Sequence, residues 1–398
     1  MDDAYHLPPT AAEAAIAATV AEAAAAREPL LLRGHGTKSG MLRPVRATRV
    51  LSAAGLSGIT LYSPSELIIS ALAGTPLPDV VAALAASGQH LIAEPPDFSA
   101  WLGATGTPQT IGGVTATNLS GPRRVAWGAM RDHVMGIRAV TGRAEVIHSG
   151  GRVLKNVTGL DLCKLFTGSH GTLGLMTEVT LKVLPMAETT ASLLLPIADA
   201  VAGVAALSAA LGSPYGVSGA AWLPAPAAAR LGFTGAMALV RLEDFAASVR
   251  YRGEKLLNEL AVAGGVILDD PTSRAAWAGV RDAMPLAAAA DDAVWRVSVR
   301  PSAGPGVLAA SGCDGFLDWG GGLVWLTGSA TEATHHRIEA AAKAAGGTWT
   351  LMRAPEALRE AVDVIPPEPA PLAAITKRVK AALDPHGILN PGRLYAGL

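Results

Sequence analysis

The sequence predicts an α+β protein of two domains, and three observations lead to this fold class. At 398 residues the chain is roughly two to three times as long as an average domain. Hydrophobic residues make up 50% of it and charged residues 16%, which supplies a large core. Glycine-rich loops beside strands dominate as far as Pro185, and alanine-rich helices dominate from there to Ile365. We therefore predict one domain over 1–185, a second over 186–365, and a C-terminal segment over 366–398 that returns to the first domain.

Apolar periodicity and breaking residues predict the elements of the first domain. Small residues over Gly103–Gly121 predict a long loop, because so many glycines and threonines disfavour a long helix. Thr75 is expected to cap the helix that follows Gly74. The other predicted elements, in order, are a helix over Ala11–Ala26, a strand over Pro29–Arg33, an extended segment over Glu66–Ala73, a helix over Pro76–Ser87, and antiparallel strands that include Met135–Thr141, Ala144–His148 and Leu173–Leu184.

The second domain is predicted to be rich in helices, and its most apolar stretch does not read as a membrane span. Ser192–Gly212 contains Pro196 and Asp199 and is dominated by alanine, so we predict a buried strand followed by a helix. Asp363–Pro371 is rich in proline and predicts an extended connector before a final helix over Thr376–Leu383. The acidic N-terminus lacks the basic region of a signal peptide, and we expect none.

Charge and cysteine content exclude several classes of function. Lys and Arg number 32 and Asp and Glu number 33, so the chain has no net positive charge to attract nucleic acid or an anionic membrane. Cys163 and Cys313 are the only cysteines, so the chain cannot build a disulfide framework or hold an iron–sulfur cluster by itself. Any such cluster is expected to belong to a partner.

Three stretches rich in small residues adjoin predicted strands: Arg33–Gly40, Gly103–Arg124 and Thr167–Leu175. Glycines allow positive φ angles and let main-chain N–H groups come close to an anion. The spacing in the first stretch is not that of a P-loop and only partly that of a Rossmann loop. Each stretch taken singly is explained as a turn, but three such stretches are better explained as one surface around a long ligand.

One set of motifs spans the first domain: Ile111-Gly112-Gly113, Gly121, Trp127-Gly128, Asp132 and Gly168-Ser169-x-Gly171-Thr172-x-Gly174. In order and spacing this set resembles the FAD-binding domain of the vanillyl-alcohol oxidase and p-cresol methylhydroxylase (PCMH) type, over roughly Pro29–Pro185. The closing Leu389-Asn390-Pro391-Gly392-Arg393 resembles the C-terminal signature of FAD-linked oxidases that act on 2-hydroxy acids. A further set resembles the FAD-binding subunits E of glycolate oxidases: Glu94-Pro95-Pro96, Leu119–Arg124, Gly128–Asp132 and Lys155-Asn156-Val157-Thr158-Gly159.

This resemblance implies a fold, a cofactor and a set of site residues. The fold is a two-subdomain PCMH-type FAD-binding domain followed by an α+β FAD-linked oxidase C-terminal (cap) domain. FAD is implied to lie extended between the subdomains, with its diphosphate against Arg33–Gly40 and Ile111–Gly121 and its isoalloxazine facing Gly168–Gly174 and the cap domain. Main-chain donors can hold a diphosphate without a basic patch, in agreement with the balanced charge. The implied cofactor-binding residues are Arg33, Gly34, His35, Gly36, Thr37, Lys38, Pro95, Thr105, Gly106, Ile111, Gly112, Gly113, Ala116, Asn118, Gly121, Gly128, Asp132, Gly168, Ser169, Gly171, Thr172, Gly174, Leu175, Asn390 and Arg393.

Two departures from the family pattern shape the predicted chemistry. Thr37 occupies the position at which relatives with a covalent flavin carry the attaching histidine, so we predict noncovalent FAD. The Gly-Glu-His-Gly type motif of catalytic 2-hydroxy-acid dehydrogenases is absent from the sequence. The corresponding stretch Gly315–Trp325 offers one carboxylate, Asp318, and two indoles, Trp319 and Trp325. No catalytic residue is therefore assigned.

The leading hypothesis is an FAD-binding subunit of a glycolate oxidase complex, as an electron-carrying or stabilising partner of a catalytic FAD-linked oxidase subunit and an iron–sulfur subunit. One alternative is a self-sufficient FAD dehydrogenase for glycolate or D-lactate, in which Arg393, Arg296 or Arg300 clamps the substrate carboxylate. Another is a scaffold that retains the flavin fold without redox use. The protein is expected in the cytoplasm, peripheral at the inner face of the membrane through its complex, with no nucleic-acid partner and no transmembrane segment.

Several single residues are assigned simple roles. His335 and His336 lie on a predicted polar-faced helix and are expected to be solvated, and no metal is predicted. Cys163 is predicted to be a small buried side chain. His170 lies inside the third small-residue stretch and is expected near the flavin ring. Core or interface anchors are predicted at Trp319 and Trp325.

Overall fold

The computed structural model describes residues 8–151 and 160–398 and arranges their strands in three sheets. The motif predicted at 155–159 lies outside the described residues. The strands are β1 (Leu30–Arg33), β2 (Arg49–Ser52), β3 (Ile59–Ser63), β4 (Ile68–Leu72), β5 (Gln89–Leu91), β6 (Val134–Thr141), β7 (Val146–Gly150), β8 (Gly174–Pro185), β9 (Thr189–Pro196), β10 (Val217–Leu223), β11 (Met237–Asp244), β12 (Val266–Leu268), β13 (Asp292–Ser298), β14 (Asp314–Asp318), β15 (Leu323–Ser329) and β16 (Thr348–Arg353). The helices are α1 (Ala11–Ala26), α2 (Leu77–Ala85), α3 (Ser99–Leu102), α4 (Ile111–Thr117), α5 (Arg124–Trp127), α6 (Met130–His133), α7 (Leu162–Phe166), α8 (Ala200–Leu211), α9 (Ala225–Ala229), α10 (Ala246–Leu260), α11 (Asp270–Arg281), α12 (Gly304–Ser311), α13 (Glu332–Ala344), α14 (Glu356–Ala361) and α15 (Ala370–Leu383).

The N-terminal region is built on a six-stranded sheet with the strand order β3-β4-β8-β6-β7, and β5 pairs with the end of β8. β1 and β2 form a separate parallel pair. Helix α1 has the predicted limits and begins with a capping box between Thr10 and Glu13. The Glu13 carboxylate is buried 2.6 Å from the Arg138 guanidinium of β6. Burial alone would raise the pKa of Glu13, but the Arg138 contact and further hydrogen bonds hold it at about 2.

The second region is an eight-stranded antiparallel sheet with the order β12-β9-β11-β10-β14-β15-β13-β16. The expectation of mainly helical structure here is wrong, because every residue of β10 is buried and a strand buried on both faces shows no polar alternation. The strand and helix predicted over Ser192–Gly212 are confirmed as β9 and α8. Within the described ranges, no helix is both long and apolar enough to cross a bilayer. β8 ends at Pro185 and β9 begins in the other sheet at Thr189, while the exact domain limits stay a prediction.

The C-terminal segment returns to the first region beside β1. The Leu30 N–H donates to the Ile388 carbonyl at 2.8 Å, and the Asn390 N–H donates to the Leu30 carbonyl at 3.0 Å. A parallel bridge between Leu30 and Leu389 results. The end of the chain therefore lies directly under the strand that leads into the first glycine-rich loop.

Helix α15 anchors this segment. It begins at Ala370 rather than at the predicted Thr376, since proline is tolerated in the first turn of a helix. The buried Lys380 ammonium donates to Asp384 at 2.6 Å and to the Thr172 carbonyl at 2.7 Å. Through Lys380 the segment is tied to the loop that precedes β8.

Two local predictions in the first region are wrong. Helix α2 begins after Pro76, and the Thr75 hydroxyl donates instead to the Leu72 carbonyl at 2.6 Å. The predicted long loop contains the short helix α4, because the Thr110 hydroxyl caps it by accepting the Gly113 N–H at 3.1 Å. This cap offsets the low helix propensity of the glycines that follow it.

The burial of single residues tests several of their predicted roles, and one of these predictions is wrong. His335 is buried rather than solvated, and its Nδ1 accepts the indole N–H of Trp295 at 3.2 Å. Cys163 is buried, and burial raises the pKa of its thiol to about 11. The two predicted anchors, Trp319 and Trp325, are both buried.

Candidate functional site

A cavity of about 260 Å³ opens where the first glycine-rich loop, the start of α4 and the loop before β8 meet. All three predicted small-residue stretches contribute to its lining, and so does the C-terminal segment. The structure thus brings together parts of the chain that are far apart in sequence. The predicted cofactor residues that line this cavity are Arg33, Gly34, His35, Gly36, Thr37, Lys38, Gly112, Gly113, Ala116, Gly171, Gly174, Leu175, Asn390 and Arg393.

Direct contacts hold the three stretches against each other. A Cβ atom on Gly34 would overlap the Thr110 hydroxyl. The first loop can therefore pack on the cap of α4 only because residue 34 is glycine. From the third stretch, the His170 N–H donates to the Ala116 carbonyl at 2.9 Å and the Gly168 N–H donates to the Thr115 carbonyl at 3.2 Å. The last turn of α4 therefore positions the loop before β8.

The first loop offers a row of main-chain donors. Among the described residues, the N–H groups of residues 34–38 have no protein acceptor, whereas the Ser39 N–H donates to the Gly36 carbonyl at 3.1 Å. Gly36 has a φ of 83°, a left-handed conformation that glycine adopts without strain. Successive N–H groups in such a turn form a concave anion-binding surface. A diphosphate fits this donor set.

Helix α4 packs closely against the neighbouring backbone, and the N–H groups of its first residues are not free to bind a ligand. Its first N–H groups are used within the protein, with Gly112 donating to the Ala73 carbonyl at 2.9 Å and Gly113 to the Thr110 hydroxyl. A Cβ atom on Gly112 would lie 2.6 Å from the Ala73 Cβ atom. Gly112 is therefore required for packing α4 against Ala73, directly after β4.

Asn390 and Arg393 line the cavity and also fasten its loops. The Asn390 side chain accepts the Leu32 N–H at 2.7 Å and donates to the His170 carbonyl at 2.8 Å, which links the first and third stretches. The Arg393 guanidinium donates to the Lys38 carbonyl at 2.8 Å and to the Arg43 carbonyl at 3.1 Å. These two residues of the closing motif therefore position the first loop.

Among the titratable side chains that line the cavity, Lys38 and His170 have pKa values shifted by burial. The Lys38 ammonium donates to Gln109 at 2.8 Å, and burial lowers its pKa to about 8. Burial, assisted by the nearby charges of Arg393 and Lys38, lowers the pKa of His170 to about 3. At neutral pH the cavity therefore contains a cationic lysine and a neutral imidazole.

The other predicted residues lie outside this cavity. Pro95 lines a separate cavity between the two sheets, and Gly106 lines an open one behind the first loop. Ser169 and Thr172 line a small cavity beside α15. The remaining predicted residues occupy the core, turns or the surface: Thr105, Ile111, Asn118, Gly121, Gly128, Asp132 and Gly168.

Some of these residues shape the chain after α4. The Asn118 side-chain oxygen accepts the Arg131 N–H at 2.9 Å. The Asp132 carboxylate accepts the Ala129 N–H at 2.8 Å, and a Cβ atom on Gly128 would lie 2.7 Å from that carboxylate. Asn118, Gly128 and Asp132 thus determine the turns between α4 and β6.

Sequence reasoning missed several lining residues. Thr110 carries a signal that could have identified it, a threonine directly before the first residues of a helix. Glu356 and Arg359 belong to α14, far along the chain, and no local pattern marks them. The other missed lining residues are Leu31, Leu32, Pro44, Val45, Ala53, Ala73 and Met176, whereas Ser39, Thr117 and His170 lie in stretches that the sequence analysis already expects against the flavin.

A buried ion cluster lies between the two sheets. Glu94 accepts two hydrogen bonds from Arg241, at 2.8 and 3.0 Å, and Glu243 accepts two from Arg123, at 2.6 and 3.1 Å. Burial alone would raise the pKa of Glu94, but Arg241 and Arg123 lower it. The cluster borders a cavity of about 490 Å³. Glu94 and Arg123 come from the first region and their partners from β11, so the cluster joins the two regions.

Asp318 and Trp319 lie at the same interface. The Trp319 indole N–H donates to the Gly121 carbonyl at 3.2 Å, and the guanidinium carbons of Arg124 and Arg296 lie 4.6 and 4.8 Å from its ring centroid. Asp318 is buried, and burial raises the pKa of its carboxyl to about 7. A carboxyl with this pKa can hold or release a proton near neutral pH.

One group of possible metal ligands occurs within residues 8–151 and 160–398, formed by His335, His336 and Glu339. Because Nδ1 of His335 accepts the Trp295 indole N–H, the ring proton lies on Nε2 and neither nitrogen has a lone pair for a metal. Glu339 is engaged by Lys343 at 2.7 Å. We therefore assign no metal to this group.

Comparison with known proteins shows the family. The profile of the FAD binding domain matches residues 9–150, and that of the C-terminal domain of FAD linked oxidases matches residues 369–394. The glycolate oxidase subunit GlcE of Escherichia coli (strain K12) is 35% identical over 381 residues, which cover 95% of this chain and 96% of that protein. The chain belongs to the FAD-linked oxidase family.

A shorter sequence similarity and a more distant structural similarity of this FAD-linked oxidase agree with the family assignment. It is 34% identical over 169 residues to the glycolate oxidase subunit GlcD of Bacillus subtilis (strain 168), covering 42% of this chain and 34% of that protein. The structure of 4-ethylphenol oxidase from Gulosibacter chungangensis shares the fold, with a TM-score of 0.68 and 13% identity over 96% of this chain and 87% of that one. The predicted family, fold class and FAD cofactor are confirmed, and the chain is an FAD-dependent oxidoreductase.

Proposed function

We propose that this chain is the FAD-binding subunit of a glycolate oxidase complex that oxidises a 2-hydroxy acid. The observation that carries the proposal is the similarity to GlcE of Escherichia coli, which extends over nearly the full length of both proteins. The similarity to GlcD of Bacillus subtilis covers less than half of this chain. GlcE is therefore the better match of these two glycolate oxidase subunits.

The chain's own residues would hold FAD mainly through the main chain. The free N–H groups of residues 34–38 would bind the diphosphate, and Lys38 would add a positive charge inside the cavity. Asn390 and Arg393 would keep this loop and the loop before β8 in place. When bound, FAD would supply a redox group that can take up electrons and pass them on.

The second region supports a dependence on partners. Among the residues that the structure describes, the predicted substrate stretch contributes one buried carboxyl, Asp318, and no histidine beside it. We propose that a catalytic FAD-linked oxidase subunit oxidises the substrate, removing both the α-hydride and the hydroxyl proton, and that an iron–sulfur subunit carries the electrons onward. The complex is proposed to lie at the inner face of the membrane.

We propose that the flavin is bound noncovalently. Thr37 lines the cavity with a hydroxyl group, and the neighbouring His35 ring donates its Nδ1 proton to the Pro108 carbonyl at 2.8 Å. Acid precipitation of the holoprotein tests this assignment. We expect the flavin in the supernatant, and flavin that stays with the pellet would show a covalent bond.

The main experiment compares the chain alone with the reconstituted complex. The purified chain is loaded with FAD, its flavin spectrum is recorded, and reduction of a dye by glycolate is measured before and after the two partner subunits are added. We expect a flavin spectrum from the chain alone and dye reduction only with the partners. Dye reduction by the chain alone would support a self-sufficient dehydrogenase, and a chain that never binds FAD would overturn the proposal.

A variant separates redox use from a scaffold role. Gly112→Val is expected to block the cavity, because the added atoms would overlap Ala73. Should the complex assemble and keep full activity with this FAD-free subunit, the chain would be a scaffold. Loss of dye reduction in an assembled complex supports an electron-carrying subunit.

A further inference from the structure

Helix α15 is poorly covered by the rest of the protein. Of its fourteen residues, all of which the structure describes, Lys380 alone is buried. Leu372 and Ile375 are each 48% exposed, and they lie one helical turn apart on the same side of the helix. A surface helix normally packs its apolar side against the core. This apolar side of α15 therefore lacks a partner among the residues that the structure describes.

A recess of about 230 Å³, which we call the α15 groove, adjoins this side of the helix. Its lining includes Ile375 and Val379 of α15, Leu165 of α7, which is 37% exposed, and Leu394 of the closing segment. The volume is below the roughly 300–1,000 Å³ of pockets that enclose a drug-sized ligand. The groove is therefore better suited to an apolar side chain of a protein partner than to such a ligand.

The loop before β8 lies between the α15 groove and the cavity lined by residues 33–39. Within this loop His170 and Gly171 line that cavity, whereas Ser169 and Thr172 line the α15 groove. The Lys380 ammonium holds the loop to α15 by donating to the Thr172 carbonyl at 2.7 Å. A partner seated in the groove would therefore contact the same loop that lines the cavity proposed for FAD.

The charges beside the groove indicate an acidic partner. Helix α15 contains Lys377, Arg378 and Lys380 and no acidic residue. Lys377 and Arg378 are exposed, and in residues 8–151 and 160–398 neither forms an ion pair. Arg378 follows Ile375 by three positions, so the two residues are neighbours on the helix surface. Carboxylates around an apolar side chain would complement this combination of charge and apolar surface.

We propose that the α15 groove docks another subunit of the complex, which inserts an apolar side chain flanked by carboxylates. This inference rests on the proposed function, since the partner is a subunit of that complex. A protein partner fits better than a bilayer, because a membrane-bound helix buries protruding side chains and the groove is a recess. A second copy of this chain would bring the same cations, Lys377 and Arg378, to a symmetric contact, where like charges repel.

Binding of the FAD-loaded chain to each of the two purified partner subunits, followed by biolayer interferometry, tests this surface. We expect Ile375→Glu and Arg378→Glu each to weaken binding to one of the subunits at least about tenfold. The first places a charge in the apolar contact, and the second places a negative charge beside the partner's carboxylates. Val201→Glu is the matched control, because Val201 is an exposed aliphatic residue on α8, and it should keep the parent affinity. Added salt should weaken binding of the parent more than that of Arg378→Glu.

Equal affinity of the parent and both groove variants, or an equal loss in Val201→Glu, would overturn the proposal. It would also be overturned if the groove variants kept subunit binding and lost instead either self-association or binding to vesicles of phosphatidylcholine and phosphatidylglycerol. Flavin absorbance and the melting temperature report whether each variant is folded. Arg378 is exposed, so its variant remains informative if Ile375→Glu does not fold. A parent chain that binds neither subunit fails the proposed function itself, whereas equal binding of parent and variants fails only the docking surface.

Discussion

The proposed flavin cavity, which is the cavity lined by residues 33–39, and the interface between the sheets differ in the groups that make polar contacts. In the cavity the donors are main-chain N–H groups of residues 34–38, surrounded by glycines. At the interface the contacts join charged side chains, as between Glu94 and Arg241. A site made of main-chain donors is damaged by added volume, whereas a cluster of buried charges is damaged by loss of one partner. The following predictions test this difference in order of expected effect.

Removal of Arg241 is expected to have the largest effect on stability. Arg241→Met leaves the Glu94 carboxylate buried without its bidentate partner. We expect the free energy of unfolding to fall by about 3–5 kcal/mol. Urea unfolding followed by tryptophan fluorescence measures this change.

An exposed ion pair provides the control for Arg241. Arg274 pairs with Asp270, and their side chains are 38% and 36% exposed. Arg274→Met is expected to cost less than about 1 kcal/mol. A combined Glu94→Gln and Arg241→Met variant should recover part of the loss, because a neutral amide is less costly to bury than a carboxylate. Equal losses from the two arginine variants would contradict the role assigned to the cluster.

Features with a local signal in the sequence could be predicted, whereas contacts between residues far apart along the chain could not. The helix limits of α1 and the positions of the three small-residue stretches have local signals in the sequence, and the structure shows α1 with these limits and the three stretches around one cavity. Strands such as β10 of the second region lack a local signal, because β10 is buried throughout and shows no polar alternation. Glu94 and Arg241 are 147 positions apart, so only the fold brings them together.

The Asp318 carboxyl is expected to make stability depend on pH. Its folded pKa of about 7 lies above the usual 3.8, so between these values the folded state holds more protons than the unfolded state. The stability it contributes is complete below about pH 4 and is lost as the pH rises through 7. At pH 8 we expect Asp318→Asn to be more stable than the parent protein by up to about 4 kcal/mol.

Unfolding of both proteins at pH 4, 6 and 8 checks this sign. The difference between them isolates Asp318 from Glu243, whose pKa is held at about 2 by Arg241 and Arg123 despite its burial. The Glu243 contribution is complete above about pH 5 and is lost as the pH falls from its ordinary pKa of 4.5 through about 2. A constant difference across the three pH values would show that Asp318 is ionised throughout.

The glycine pair of α4 tests the sensitivity of the flavin cavity to volume. Gly112→Ala places a methyl group 2.7 Å from the Ala73 carbonyl oxygen, and backbone must shift to relieve the overlap. We expect a loss of about 2 kcal/mol in the free energy of unfolding and loss of bound FAD. In the control Gly306→Ala, the new methyl group meets no atom within 4 Å, and both properties should be retained. FAD content is read from the flavin absorbance after gel filtration.

The helix cap at Thr110 is expected to give the smallest change in stability and the most specific change in function. Thr110→Ala removes the hydroxyl that accepts the Gly113 N–H, which costs about 1 kcal/mol. Thr331→Ala removes an equivalent cap from α13, where the hydroxyl accepts the Thr334 N–H, and should cost about the same. Only the Thr110 hydroxyl packs on Gly34 of the donor loop, so only its loss should weaken FAD binding. Equal FAD affinity in the two variants would mean that the donor loop keeps its shape without the cap of α4.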